Sequence, residues 1–170
     1  MNTTIKKASS EKDLNTIREI AHKTWPSTFS SILSPDQINY MLEWMYSLES
    51  LKNQINDKGN VFLIASFDGE PLGFASYEMN YKSQNTMKLH KIYILPEAQG
   101  KGIGASLIKE IKKAASEKHQ TGILLNVNRQ NPAVKVYEHL GFKIIGEENI
   151  DIGNGFFMND FVMELTLAKT

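Results

Sequence analysis

Lys91-Ile92-Tyr93-Ile94-Leu95-Pro96-Glu97-Ala98-Gln99-Gly100-Lys101-Gly102-Ile103-Gly104-Ala105 is the stretch from which the fold can be read. Its β-branched and aromatic run, Ile92 to Leu95, predicts a strand that Pro96 stops, because proline has no N–H for a ladder. Three alternate glycines follow, and then a helical pattern opens. Strand, glycine turn and helix N-terminus make an anion pocket. Glycines allow close backbone approach, the first-turn N–H groups lack intrahelical partners, and the helix dipole attracts negative charge. A lone Gly-x-Gly would be read as a tight turn only. Gln99 in front and a helix behind favour a phosphate site.

Outward from this loop, apolar spacing predicts the other elements. Toward the N-terminus, Met87 to Leu95 is the third of three strands, after Val61 to Phe67 and Pro71 to Tyr81, which flank the turn signal Asp68-Gly69-Glu70-Pro71. A first strand covers Thr4 to Ala8. Ser10 then caps a helix, with Asp13 in the capping-box position, and Pro26 closes it. Ser34-Pro35-Asp36 starts a second helix, and a further helix is placed over Leu48 to Ile55. Beyond the loop come a helix from Gly102 to Lys118, a buried strand from Gly122 to Val127 and a short helix from Pro132 to Leu140. A closing hairpin, Phe142 to Ile152 and Phe156 to Leu167, turns at Gly153-Asn154-Gly155. The order is β-α-α-β-β-β-α-β-α-β-β. It describes an α/β (α+β) domain: a mixed, mostly antiparallel seven-stranded sheet with helices on both faces and one parallel crossover from Met87 to Val127.

Composition narrows the function classes. The chain's 170 residues suit a single domain over 1–170, and 41% hydrophobic with 22% charged residues is ordinary globular content. Nineteen basic residues balance nineteen acidic ones, so nucleic acid or a membrane surface lacks its usual electrostatic support as a partner. Cysteine is absent, which removes disulfides, thiolate metal sites and cysteine nucleophiles. His22, His90, His119 and His139 have no metal-ligand spacing, so no metal is expected. No signal-like or membrane-spanning apolar run is present, and a cytoplasmic protein is the default expectation.

Gln99-Gly100-Lys101-Gly102-Ile103-Gly104 resembles the Gln/Arg-x-x-Gly-x-Gly/Ala signature of the GNAT superfamily of acyl-CoA-dependent N-acetyltransferases. A second block, Asn131-Pro132-Ala133-Val134-Lys135-Val136-Tyr137-Glu138-His139-Leu140-Gly141-Phe142, is similar to that superfamily's Asn…Ala…Tyr-Glu-x-Leu-Gly-Phe segment. Two blocks in order on the right elements are far more specific than either alone. The same glycines also fit a dinucleotide fingerprint, but the next strand ends Asn126-Val127-Asn128 without the acidic residue that would hold a ribose. A P-loop fails because Gly102, not Ser or Thr, follows Lys101.

The resemblance implies a transferase with acetyl-CoA as co-substrate and no metal. By it, Gln99, Gly100, Lys101, Gly102, Ile103, Gly104 and Ala105 cradle the pyrophosphate, Lys101 being as readily a solvated lysine. The pantetheine arm pairs with Ile92, Tyr93 and Ile94, which requires this strand to splay from Leu124 to Val127. One N–H, at Ile92 or Tyr93, then faces the thioester oxygen. Tyr137 is the expected general acid, its phenol being protonated at neutral pH. Asn131, one residue closer to Tyr137 than the usual family spacing, or Asn128 adds a coenzyme contact. Many relatives carry a glutamate at the position of Lys88. The base is therefore sought in His90, on the same strand face by alternation, in Glu78 on the preceding strand, or in a water chain.

Acceptor specificity is expected from the first helices and the last hairpin. Trp25, Phe29, Tyr40, Trp44 and Tyr46 lie there, mostly as core, with one or two free for an amine groove. Trp25-Pro26-Ser27-Thr28-Phe29, Ser34-Pro35 and Phe157-Met158-Asn159-Asp160 resemble small bacterial polyamine acetyltransferases. The resemblance implies a small-molecule amine as partner, with Asp160, Asp151, Glu147 and Glu148 as available carboxylates. The alternative acceptor is a protein N-terminus, as in the ribosomal type. A non-catalytic acyl-CoA sensor is the other class, with Lys88 speaking for it and Tyr137 against. A homodimer is compatible with the sequence.

Overall fold

A computed structural model describes residues 2–167. Its centre is one seven-stranded sheet of order β1-β2-β3-β4-β5-β7-β6. The strands are β1 (Thr3–Lys7), β2 (Val61–Phe67), β3 (Glu70–Glu78), β4 (Thr86–Ile94), β5 (Gly122–Asn128), β6 (Lys143–Gly153) and β7 (Phe156–Thr166). The helices are α1 (Glu11–Phe29), α2 (Pro35–Tyr46), α3 (Leu48–Asn56), α4 (Ile103–Glu117) and α5 (Ala133–His139). All neighbouring strands run antiparallel except β4 and β5. The mixed sheet expected from the sequence is present. A third helix, α3, stands before the β2–β4 meander.

Local chemistry explains most of the boundaries. Ser10 accepts from the Asp13 N–H, and Asp13 accepts from the Ser10 N–H in return, a complete capping box. Lys6 pairs with Asp13 at 2.8 Å and, with the Ser9 and Ser10 N–H groups, holds that carboxyl down at about 2. Ser34 and Ser47 cap α2 and α3 from one side only, each hydroxyl accepting the N–H three residues on, from Gln37 and Ser50.

Two expected ends move. Pro26 does not close α1; the helix continues to Phe29. An internal proline costs about 3 kcal/mol. Burying Trp25 at 2% and Phe29 at 3% exposure, with rings 4.5 Å apart, offsets that cost. The strand expected over Pro71 to Tyr81 ends at Glu78 instead. Asn80 turns to φ 51°, its N–H held by Gln120 Oε1, and Tyr81–Ser83 form a short 3₁₀ turn.

The sheet separates two apolar layers. Ile94 meets α4 at Gly104, whereas Tyr93 packs with Phe74 and with Trp25 and Phe29 of α1. The β4–β5 ladder pairs Thr86 to Leu89 with Gly122 to Leu125 and stops there, although both strands run on. From His90 onward β4 therefore has an open edge. That opening positions everything that follows.

Candidate functional site

A β-bulge on β4 arranges the first group of side chains. Ser76 pairs with Lys91 but Tyr77 pairs with Leu89, so His90 is the extra residue. Alternation carries Lys88 and His90 to one face, and the bulge then turns Lys91 to that face as well. His90 Nε2 lies 2.9 Å from Glu78 Oε1, and its ring stands edge-on to Tyr81 at 5.8 Å. The two residues the sequence offered as alternative bases are thus hydrogen-bonded to each other. Burial pushes the His90 imidazole below its usual range, against the upward pull of Glu78. A neutral ring donates Nε2–H to the carboxylate and leaves Nδ1 free to accept a proton.

Glu78, His90 and Lys91 line a cleft of about 610 Å³ that opens under α2 and α3 and also includes Trp44, Gln54 and Asn60. Of the five aromatics singled out in the sequence, Trp25, Phe29 and Tyr46 are core. Tyr40 is occupied by the hairpin, donating to Ile152 O at 2.8 Å. Trp44 is half exposed and forms part of the cleft wall. Lys91 donates to Gln54 Oε1 at 2.8 Å over the Tyr46 and Phe62 rings. Burial lowers its ammonium to about 8. Lys91 and Tyr81 were not legible as site residues, because the bulge and the 3₁₀ turn that bring them in leave no periodic signal, and Gln54 enters only through the packing of α3 against the sheet.

The open edge of β4 supplies the second element. Leu95 N–H donates to Leu72 O at 2.9 Å. Antiparallel alternation then turns the polar groups of Tyr93 and Lys91 toward β3, and those of Ile92 and Ile94 toward the splay. The sequence left Ile92 and Tyr93 open as the N–H facing a thioester; the ladder phase favours Ile92.

At the end of β4, Pro96–Ala98 make one turn and the glycine loop enters α4. Gly100 and Gly102 have φ of 88° and 76°, and a Cβ at either would meet nothing within 4 Å. Their left-handed backbone needs glycine, and the space outside them is free for a phosphate. Gly104 serves packing: a Cβ there would come 3.0 Å from Ile94 Cδ1. Ile103 is buried, and Lys101 lies 5.3 Å over the Phe67 ring. Gln99 precedes the loop in extended backbone.

The third element is the β5–α5 corner. Asn128 Oδ1 accepts from Gln130 N–H and Asn131 Oδ1 accepts from Ala133 N–H, each at 2.9 Å. Both oxygens are spent on the turn, which leaves the two amide NH₂ groups for a ligand. Tyr137 sits on α5 against Phe142 at 5.7 Å, and burial alone raises its phenol above the ordinary value. It is protonated at every physiological pH. Among the described residues no cluster of three or more His, Asp or Glu forms a metal site.

Splay, glycine loop and cleft meet on one strand, which is the arrangement an acyl thioester and an amine require. The model of the "Acetyltransferase (GNAT) domain" matches residues 29–165. A spermidine N(1)-acetyltransferase of Thermoplasma acidophilum is 31% identical over 169 residues, covering 96% of this chain and 97% of that protein. The crystal structure of the PaiA N-acetyltransferase from Thermoplasma acidophilum in complex with coenzyme A superposes with a TM-score of 0.78 at 28% identity, over 98% of this chain and 100% of that one. The ribosomal-protein-S18-alanine N-acetyltransferase of Escherichia coli shares the fold at a TM-score of 0.73 and 17% identity, covering 99% of this chain and 96% of its own. On these grounds the chain belongs to the GNAT family and is an acetyl-CoA-dependent N-acetyltransferase.

Proposed function

We propose that the acceptor is a small polyamine, acetylated at a primary nitrogen by direct transfer within a ternary complex. The observation that carries this reading is the Glu78–His90 pair lining a cleft that adjoins the open edge of β4. The spermidine acetyltransferase relative supports the acceptor class.

Backbone N–H groups of Gln99 to Ala105 hold the pyrophosphate, and the amides of Asn128 and Asn131 lie beside the arm. Ile92 and Ile94 offer their free edge to the pantetheine, as an added strand would be received. The amine nitrogen attacks the thioester carbonyl carbon while Ile92 N–H stabilises the oxyanion. His90, oriented by Glu78, takes the proton lost by the nitrogen. As the carbon–sulfur bond breaks, Tyr137 returns a proton to the thiolate. Lys88 is no base: its ammonium is held by Asn126 Oδ1. The reaction calls for no metal, and a cytoplasmic setting with acetyl-CoA at hand suits it.

A thiol-release assay with acetyl-CoA and a panel of polyamines, aminoglycosides, amino acids and short peptides tests the acceptor. Turnover should be fastest with polyamines. Fastest turnover of a peptide through its N-terminal amine would replace the polyamine reading with the protein N-terminal one.

A further inference from the structure

A row of polar side chains crosses the sheet on the cleft face, beyond the residues assigned above. Lys88 on β4 donates to Asn126 Oδ1 on β5, and Asn126 Nδ2 donates to Asp160 Oδ2 on β7 at 3.4 Å. Asp160 faces Asn128 on one side and Glu148 of β6 on the other. Glu78 opposes Lys88 at the other end. Three carboxylates against one ammonium leave the row net negative.

One atom in it is unsatisfied. Asp160 is 6% exposed and its Oδ1 has no hydrogen-bond partner among the described residues. An orphaned buried carboxylate oxygen is costly and calls for a donor. Asn126 gives Asp160 a single long bond, and the Lys88 ammonium bonds Asn126 rather than Asp160. Among the described residues no cation hydrogen-bonds Oδ1; Lys88 and Arg129 act on the carboxyl only through space.

We propose that Asp160, flanked by Glu148, is the subsite that receives the non-reacting ammonium of the acceptor and so selects diamines and polyamines over monoamines. The inference rests on the amine-transferase reading above and deepens it. The row starts at Glu78 and Lys88, on the two strands that carry the Glu78–His90 pair, and reaches Asp160 across β5, so an extended aliphatic chain laid along it would present one nitrogen to His90 and another to Asp160. Lys88 lies between the two ends and disfavours a positive charge mid-row. That favours acceptors whose first two nitrogens are separated by a methylene spacer long enough to clear it.

The test compares the wild-type protein with Asp160→Asn, which keeps the shape and removes the charge. Initial rates are measured with spermidine, with putrescine, and with butylamine as a monoamine of matching length. Asp160→Asn should raise KM for the two polyamines by about ten- to a hundredfold, the weight of a charge-assisted hydrogen bond. KM for butylamine and for acetyl-CoA should stay within about twofold, because Asp160 acts on neither. Glu148→Gln, at an exposed neighbour, should move polyamine KM in the same direction by less. An equal loss on butylamine and polyamines in a folded Asp160→Asn protein would overturn the proposal, as would an unchanged polyamine KM. If Asp160→Asn does not fold, Glu148→Gln decides alone, and no shift in its polyamine-to-butylamine KM ratio counts against the subsite. Absence of thiol release with every amine in the wild type would instead refute the transferase reading beneath it.

Discussion

Tyr137 and His90 differ in how their surroundings prepare them. Tyr137 lies against Phe142 with burial as the sole influence on its phenol, which keeps it protonated at neutral pH. Tyr137→Phe should lower turnover by about a hundred- to ten-thousandfold. Coenzyme binding by calorimetry should be unchanged, and full turnover in the variant would exclude the acid role. His90 is held below the usual histidine range by burial and is pulled up by Glu78. A group with a lowered pKa keeps its free lone pair further into acid, so the acid-side fall of kcat/KM should begin below the ordinary histidine region. Glu78→Gln removes the upward pull, and the acid limb should move lower still while the rate drops. An acid limb that stays in place in Glu78→Gln, or in His90→Ala, would assign the amine's proton to water. None of this pairing was readable from the residues alone. Glu78 and His90 stood as rivals in the sequence because a hydrogen bond between strands depends on register, and the register here contains a bulge.

Capping, glycine geometry and strand phase operate at the level of elements. The Ser10–Asp13 box and the glycine loop were legible because both are local: their chemistry spans seven residues or fewer. The extension of α1 past Pro26 and the 3₁₀ turn at Tyr81 were not, because each is set by distant partners, the aromatic cluster in one case and Gln120 in the other. The splay was expected from resemblance along Leu124 to Val127; the ladder keeps Leu124 and Leu125 paired with Lys88 and Leu89, and the strands part beyond them. Two consequences can be measured. Asp13 ionises at about 2 in the fold against an ordinary 3.8. A lowered carboxyl stabilises above its unfolded value, and that contribution is lost as pH falls from about 4 through 2. Ser10→Ala should cost about 1 kcal/mol at neutral pH in denaturant melts. Asp13→Asn should narrow the gap between neutral and acid stability; equal pH dependence in variant and wild type would contradict the Lys6 pairing. In the loop, Gly102→Asn is the sharper probe than a β-branched residue, since asparagine tolerates the left-handed backbone at φ 76°. Coenzyme affinity should fall about tenfold or more as the new side chain enters the phosphate approach. Unchanged affinity in the folded variant would remove the loop from the binding site.

At the scale of the whole molecule, β4 serves as the divider between two approaches. Its open edge and the glycine loop lie toward α4, whereas the cleft with Glu78 and His90 opens under α2 and α3. In the reading proposed above, coenzyme A takes the first approach and the amine the second. Two substrates arriving from opposite faces can be bound together, so no acyl group has to be parked on the protein between half-reactions. The residues agree: cysteine is absent from the chain, and Lys91, the cleft amine brought down to about 8, is engaged by Gln54 rather than free to carry an acetyl group. Initial-rate measurements varying acetyl-CoA at several fixed polyamine concentrations should therefore give intersecting lines in double-reciprocal form. Product inhibition by free coenzyme A should be competitive with acetyl-CoA. Intact-mass spectrometry after mixing with acetyl-CoA alone should show the unmodified chain. Parallel lines, together with an acetylated protein that discharges to added amine at the rate of turnover, would show that β4 does not bring the two substrates together and that a side chain carries the acyl group between them.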